Sequence, residues 1–312
     1  MNKRLPGLGA PIFQTAKPHF LNAAALIPPR APDHFFSAGQ IIHTLNAGDA
    51  LPVYMRVGDD NEETEVLSSV VCDFNRCGNL FDVASRMAAN FENEKEHVKA
   101  QIAPNIDERL VARLTGIFLT METIMNTKMS MRQRQKQREN IYKRAPLVAL
   151  SQIARSGMLE CVEKSAFAKY WMGQHGFNMF MVNHAFRFDS KPSEGMMHAM
   201  LGITQRDCVV LFDPNNAMLI DGTLSPSMGT IKGQFYVPSL YQVPRERWDR
   251  LLAQGKTGPA MIDIHTDSVW RHAAAPEKAW FGFGLPDQTR TPENWLVPAK
   301  PADSGAPAPK GP

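Results

Sequence analysis

The sequence lacks the features that several large protein classes require. Its 34 Lys and Arg residues almost balance its 31 Asp and Glu residues, and a net charge of +3 excludes a generally basic nucleic-acid-binding surface. No apolar run approaches the roughly 18 residues that a membrane-spanning helix needs. The start of the chain is basic but has no apolar segment of the signal-peptide kind, so we expect no export by the general secretory route.

Cysteine is scarce, and its spacing argues against disulfide and metal chemistry. The chain has four cysteines: Cys72, Cys77, Cys161 and Cys208. They are too few for a disulfide scaffold, and none forms a Cys-x-x-Cys pair. His198, Cys208 and Asp213 offer three ligand types without the spacing of a zinc motif. The Gly-Phe-Gly at 282–284 has no strand and helix context for phosphate binding. We therefore expect no metal and no cofactor.

Proline density divides the chain into three parts. Prolines recur through residues 1–50 too often for a regular element, which predicts a flexible leader that is dispensable for folding. The alternative is a secretion segment that docks on a chaperone. Residues 286–312 are similarly rich in proline and predict a disordered tail. Between them, residues 51–285 are long enough to form one globular domain with its own core.

The patterning of this central region changes from helical to strand-like. Apolar residues recur at helical spacing from Leu80 to Ala88 and from Leu110 to Met125. Strand-like apolar runs follow later in the chain, at Phe177–Phe188, Met197–Ile203, Cys208–Phe212 and Met261–Ile264. A helical half followed by a strand half predicts an α+β fold.

Residues Lys128 to Arg144 form the most basic segment, with seven basic residues and one acidic residue. The simplest interpretation is a solvated helical face. The alternative is a docking face for an acidic partner or a membrane surface.

A predicted hairpin brings a histidine and a carboxylate together. If Gln205 and Arg206 form the turn between the two apolar runs, His198 lies directly opposite Asp213 on the same face of the sheet. Their Cβ atoms would then be about 4.5–5.5 Å apart. A carboxylate at that distance fixes the tautomer of an imidazole and stabilises its protonated form. Thr-Gln-Arg-Asp contains no Gly or Asn to favour the turn, so the register depends on the apolar pattern alone.

Cys77 is the best candidate for a thiol that such a histidine activates. It directly precedes the first helical pattern, and the positive end of a helix dipole favours thiolate. Cys72 lies in a strand-like segment, Cys208 lies inside the hairpin, and Cys161 has no recognisable charged environment. The residues therefore predict a Cys77, His198 and Asp213 triad.

The segments His198–Ile203 and Val209–Asn215 resemble the His and Asp segments of YopT/AvrPphB-type cysteine proteases. In that family a His-Ala pair opens one strand and Phe-Asp-Pro-Asn closes the next. The family places its cysteine at a helix start well over a hundred residues earlier, and Cys77 precedes His198 by 121 residues. The resemblance spans about Asn75 to Asp221. The same motifs occur in enterotoxin-like effector proteases, so the subfamily stays open.

The resemblance implies a papain-like core, in which helices carrying the cysteine pack on an antiparallel sheet carrying His198 and Asp213. It also implies an oxyanion hole completed by an amide that precedes the nucleophile. The family's Gln is missing from Val70–Arg76, where Asn75 is the only amide. Asn75 is therefore the candidate oxyanion donor.

The implied function is that of a bacterial effector, a virulence protein made in the bacterial cytoplasm. It would be secreted into a host cell by a type III system, where it would cleave a host protein. Deamidation and acyl transfer share the same acyl-enzyme chemistry and remain alternatives. A catalytically silent binding module is another, because Asp213-Pro214-Asn215 is a strong turn former in its own right.

Overall fold

A computed structural model describes residues 31–36, 41–56, 64–93, 102–124, 129–188, 195–219, 236–255, 262–264 and 267–269. The strands are β1 (Ile41–Ile42), β2 (Ala50–Arg56), β3 (Thr64–Val71), β4 (Leu147–Ala149), β5 (Phe180–Phe188), β6 (Gly195–Thr204), β7 (Cys208–Leu219), β8 (Tyr236–Pro244), β9 (Ile262–Ile264) and β10 (Asp267–Ser268). The α-helices are α1 (Gly78–Asn93), α2 (Glu108–Ile124), α3 (Met131–Arg144), α4 (Leu150–Ser156), α5 (Cys161–Gln174) and α6 (Arg245–Gly255). A short 3-10 helix covers Phe74–Arg76.

The strands form two sheets. The larger sheet has the order β1-β5-β6-β7-β8-β10, with antiparallel neighbours, and β9 pairs parallel to β5. The smaller sheet has the order β2-β3-β4, with β2 antiparallel and β4 parallel to β3. The predicted α+β class is confirmed, although the smaller sheet lies in the half that was predicted to be helical.

Helix α5 is the central helix of the fold. Residues on all its sides are buried, and it packs on strands β5, β6 and β7. Tyr170 of α5 stacks on Phe74, with ring centroids 4.0 Å apart, and Phe167 contacts Phe81 of α1 edge to face. Lys169 donates to the carbonyl oxygens of His43 and Met179, and burial lowers the pKa of this amine to about 8. A helix buried on every side shows no amphipathic period, so its sequence pattern gives little sign of it.

Helix α3 has a buried face as well as a solvated one. Arg134, Arg138 and Tyr142 are buried at helical spacing, while the other basic side chains are exposed. The exposed cations are Arg132, Lys136, Lys143 and Arg144. The interpretation of this segment as a solvated face therefore holds for only part of its circumference.

The ordered structure begins before residue 51. Ile41 and Ile42 pair with Val182 and Met181 of β5, and the side chains of Ile42 and Leu45 are buried in the core. The predicted leader boundary at residue 50 is therefore too late, because these apolar residues complete the edge of the larger sheet. Residues 1–30 and the predicted tail, 286–312, lie outside the described residues. None of the described helices combines the length and apolarity needed to cross a membrane.

Helices α1 and α2 pack closely at Gly116. A Cβ atom at this position would lie 2.7 Å from the Ala88 nitrogen and 2.8 Å from the Ala84 carbonyl oxygen. Because both atoms belong to the backbone of α1, a side-chain rotation cannot relieve the contact. We therefore regard Gly116 as the residue that sets the separation of the two helices.

Replacing Gly116 by Ala should destabilise the protein by about 1–3 kcal/mol, since the two helices must move apart. Gly173→Ala in α5 is the matched control, because a Cβ there meets nothing within 4 Å. That control should be neutral or stabilise by up to about 1 kcal/mol. Equilibrium denaturation by urea measures both changes, and equal stabilities of the two variants would contradict the packing argument.

Candidate active site

His198 of β6 and Asp213 of β7 lie in contact on adjacent strands. His198 Nε2 is 2.8 Å from Asp213 Oδ1, and the two side chains are only 4% and 1% exposed. The prediction that these two residues meet on one face of the hairpin is confirmed.

The predicted register of the hairpin is wrong by two residues. Thr204 pairs with Val209 rather than with Asp207, and the Gln205 N–H donates to the Cys208 carbonyl at 2.8 Å. Arg206 and Asp207 therefore form the tip of the turn. Side chains alternate between faces with a period of two, so a slip of two residues leaves every side chain on its predicted face. His198 and Asp213 consequently interact as diagonal neighbours instead of direct partners.

The thiol at His198 is that of Cys161, the first residue of α5. Besides the Asp213 carboxylate, Cys161 is close enough to His198 to act on the pKa of its ring. Burial by itself would lower the pKa of His198, but the Asp213 carboxylate and the Cys161 thiol together raise it well above its ordinary value. The environment of His198 therefore favours the imidazolium form. Cys161 is partly exposed, whereas His198 and Asp213 are buried.

Cys77 directly precedes α1, as predicted, but its surroundings are those of a core thiol. Its side chain is fully buried, and Sγ donates to the Asp73 carbonyl oxygen at 3.8 Å. Burial and the nearby Asp73 carboxylate raise the pKa of this thiol well above its ordinary value. The charged groups that act on it are Asp73, Arg155 and Arg76, which lie near α1 and α4 rather than in the hairpin.

The geometry therefore replaces Cys77 by Cys161 as the candidate nucleophile. Both cysteines lie at helix starts, so the local argument applies equally to each of them. The two helices differ in what they pack on: α1 packs on α2, whereas α5 packs on β6 and β7. Only the second arrangement brings a helix start to His198.

Asn75 is placed with Cys77 and away from the candidate triad. It lies in the short 3-10 helix and is exposed. Its predicted role as oxyanion donor depended on Cys77 as the nucleophile. With Cys161 as the candidate nucleophile, Asn75 is no longer the candidate donor. At the start of α5, in contrast, backbone N–H groups of the first turn have no carbonyl partner within the helix.

The Asp213-Pro214-Asn215 motif connects the hairpin to the start of α5. The Asn215 backbone N–H donates to Asp213 Oδ1 at 3.0 Å. The Asn215 side chain donates from Nδ2 to Glu160 Oε2 at 3.1 Å. Glu160 directly precedes Cys161, so one asparagine contacts both the carboxylate that holds His198 and the residue beside the thiol.

A buried carboxylate holds the first turn of α5 from the other side. Glu163 Oε2 accepts a hydrogen bond from the Glu160 backbone N–H at 3.1 Å. Glu163 Oε1 accepts from Arg138 Nη2 at 2.7 Å and from the Tyr142 hydroxyl at 2.5 Å. Burial and the Glu163 charge raise the pKa of Tyr142, which keeps its hydroxyl protonated and able to donate.

A second histidine lies beside the site. His184 of β5 is the direct cross-strand partner of His198 and is buried. Direct partners in an antiparallel pair project to the same face, so two imidazoles are neighbours there.

Sequence reasoning missed the role of Cys161, although a signal for it exists. Gly157 ends α4 in the left-handed conformation, with φ of 68°, and a glycine at that position marks a helix end. A new helix can therefore begin soon afterwards, and Glu160 and Glu163 have the three-residue spacing of a capping box. These two signals together place Cys161 at a helix N-terminus.

The described part of the chain contains no cluster of three or more His, Cys, Asp or Glu residues arranged to hold a metal ion. Comparisons with protein-family models, with curated proteins and with solved structures found no match. The resemblance to the YopT/AvrPphB-type proteases therefore stays a prediction from the His and Asp segments.

We expect Cys161 to be the first cysteine that iodoacetamide alkylates in the folded protein. It is partly exposed and lies beside an imidazolium, whereas burial keeps Cys72 and Cys77 protonated. Peptide mass spectrometry after short labelling times measures the order. Denatured protein, in which all four thiols should react alike, is the control. Labelling of Cys77 as fast as Cys161 would contradict the assignment.

Proposed function

We propose that the protein is a thiol-dependent hydrolase in which Cys161 is the nucleophile, His198 the general base and Asp213 the orienting acid. One observation carries the proposal: His198 Nε2 lies 2.8 Å from a buried carboxylate, and a cysteine at a helix start is close enough to act on the pKa of the same ring. A base that is oriented by a third group and placed next to a nucleophile is the general arrangement of covalent catalysis.

In the first step, the Cys161 sulfur attacks the carbonyl carbon of the substrate as a thiolate, because its proton is already held by His198, whose surroundings favour the imidazolium. A C–S bond forms, and the carbonyl oxygen gains a negative charge. Backbone N–H groups at the start of α5 are the donors best placed to stabilise this oxyanion, aided by the positive end of the helix dipole. Asp213 stabilises the imidazolium.

In the second half of the reaction, the His198 imidazolium donates its proton to the leaving amine, and the C–N bond breaks. Water then attacks the thioester, and His198 accepts a proton from it. The C–S bond breaks, the carboxylic acid product leaves, and the Cys161 thiolate is restored beside the His198 imidazolium. Each step uses only groups of this chain, the substrate and water.

Proteolysis is the reaction we favour, within a papain-like arrangement. The motif around His198 and Asp213 supports this, and the order Cys, His, Asp along the chain is kept when Cys161 takes the place of Cys77. A nucleophile at the start of a buried helix that packs on the sheet carrying His198 and Asp213 also fits. Cys161 precedes His198 by only 37 residues, a shorter separation than the resemblance implies.

The resemblance also supplies the biological setting of the proposal. The protein would be a type III effector that acts on a host protein after delivery into the host cell. Residues of the leader would bind a secretion chaperone before export.

The test compares wild type with Cys161→Ala and Cys77→Ala in a host-cell lysate, with new protein N-termini identified by mass spectrometry. Wild type and Cys77→Ala should generate the same new termini, and Cys161→Ala should generate none. His198→Ala should lower the rate about 1,000-fold or more, whereas Asp213→Ala should keep a residual rate. Asp213→Asn should also be impaired, because an amide can hold the wrong imidazole tautomer.

The same lysate separates the alternative activities. Conversion of a substrate glutamine to glutamate without new termini would identify a deamidase, and transfer of an acyl group to a substrate amine would identify an acyltransferase. A Cys161 thiol whose reactivity is unchanged in His198→Ala, together with no modified host protein, would favour the binding module and overturn the enzyme proposal.

A further inference from the structure

We infer that Asn215 is a positioning residue whose side chain holds Cys161 in place against His198. The inference rests on the proposed function of Cys161 and extends it to a residue outside the triad. It assigns a role in the active site to the last residue of the Asp-Pro-Asn motif, beyond the formation of a turn.

Asn215 donates hydrogen bonds in two directions. Its backbone N–H donates to Asp213 Oδ1 at 3.0 Å, on its own strand. Its side-chain amide donates to Glu160 Oε2 at 3.1 Å, across to the start of α5. The two contacts join the orienting acid to the residue that precedes the nucleophile.

Glu160 is also held by contacts within α5. Its backbone N–H donates to Glu163 Oε2, and the buried Glu163 carboxylate is fixed by Arg138 and Tyr142 of α3. The helix therefore holds Glu160 through both directions of the capping box, while Asn215 of β7 holds its side chain from the sheet. With the main chain and side chain of Glu160 restrained, the peptide that leads into Cys161 has little freedom to shift.

The chemistry requires a precise distance between the Cys161 sulfur and the His198 ring. Cys161 lies in α5 and His198 lies in β6. The distance between them therefore depends on how precisely α5 packs against the hairpin. A misplacement of about 1 Å between reacting groups can lower a rate about 100-fold. The Asn215 to Glu160 bond spans this junction one residue from the thiol.

If Asn215 only shapes the turn, its side chain should not affect the reactivity of Cys161. If the residue served only to shape the turn, the backbone N–H bond to Asp213 would be its whole contribution. That bond survives in Asn215→Ala. Variants that change only the side chain therefore separate the two roles.

The decisive comparison exchanges donor and acceptor between Asn215 and Glu160. Asn215→Asp sets two carboxylates against each other, which should repel the start of α5 from β7. Glu160→Gln keeps one acceptor oxygen, which can serve either Asn215 or the Glu163 backbone N–H, so it should slow Cys161 less than Asn215→Asp does. The double variant combines Glu160→Gln with Asn215→Asp. There the amide introduced at position 160 can donate to the carboxylate introduced at position 215, which restores the hydrogen bond with its direction reversed.

The experiment measures the alkylation rate of Cys161 by iodoacetamide as a function of pH, in full-length protein, with thermal unfolding recorded in parallel. Asn215→Ala should react about 10-fold more slowly near neutral pH, with its pH profile displaced to higher pH. Asn215→Asp should be slower still, and the double variant should return to within about threefold of wild type. Asn215→Ala carries the test if Asn215→Asp fails to fold.

Each outcome has one meaning, because His198→Ala is measured in the same assay. If His198→Ala slows Cys161 but the Asn215 variants do not, the positioning role is overturned and the proposed function stands. If the double variant stays as slow as Asn215→Asp, the hydrogen bond is not responsible and the inference is again overturned. If His198→Ala leaves Cys161 unchanged, the proposed function and the inference are overturned together.

Discussion

The buried charge of Glu163 is the constraint on which the candidate site depends. A carboxylate that water cannot reach is costly unless it is fully hydrogen bonded and neutralised. Arg138 and Tyr142 supply that compensation from α3, and the Glu160 N–H supplies it from the turn before α5. The need to compensate this single charge thus fixes α3 on α5 and sets the first turn of α5, from which Cys161 projects.

The elements that sequence could predict are those with a local periodic pattern. Helices α1 and α2 bury one face each, so their apolar period was visible, and β5, β6 and β7 were visible as apolar runs. The meeting of His198 with Asp213 was predicted despite a wrong register, because a slip of two residues preserves the face. Strand β4, with only three residues, joins β3 from a distant part of the chain and has no comparable local signal.

The choice between Cys161 and Cys77 could not be made from local pattern. Both residues lie at helix starts, and the difference between them is which helix packs on the larger sheet. That difference is a long-range contact, and α5 conceals it further because burial on every side removes the amphipathic period. The ion pair of Arg138 with Glu163 was not predicted for a related reason. The sequence of α3 alone shows many basic residues, and that pattern predicts that all of them are exposed to solvent.

The division of the site between α5 and the β6–β7 hairpin has a consequence for folding. The hairpin and the α1–α2 pair are built from neighbouring parts of the chain, whereas the approach of Cys161 to His198 requires α5 to dock on the sheet. Contacts between distant segments close a larger loop and form more slowly than local ones. A partly folded chain can therefore contain complete helices and a complete hairpin and still have an unactivated Cys161. Under the proposed function, the contact of Cys161 with His198 is therefore among the last parts of the site to form.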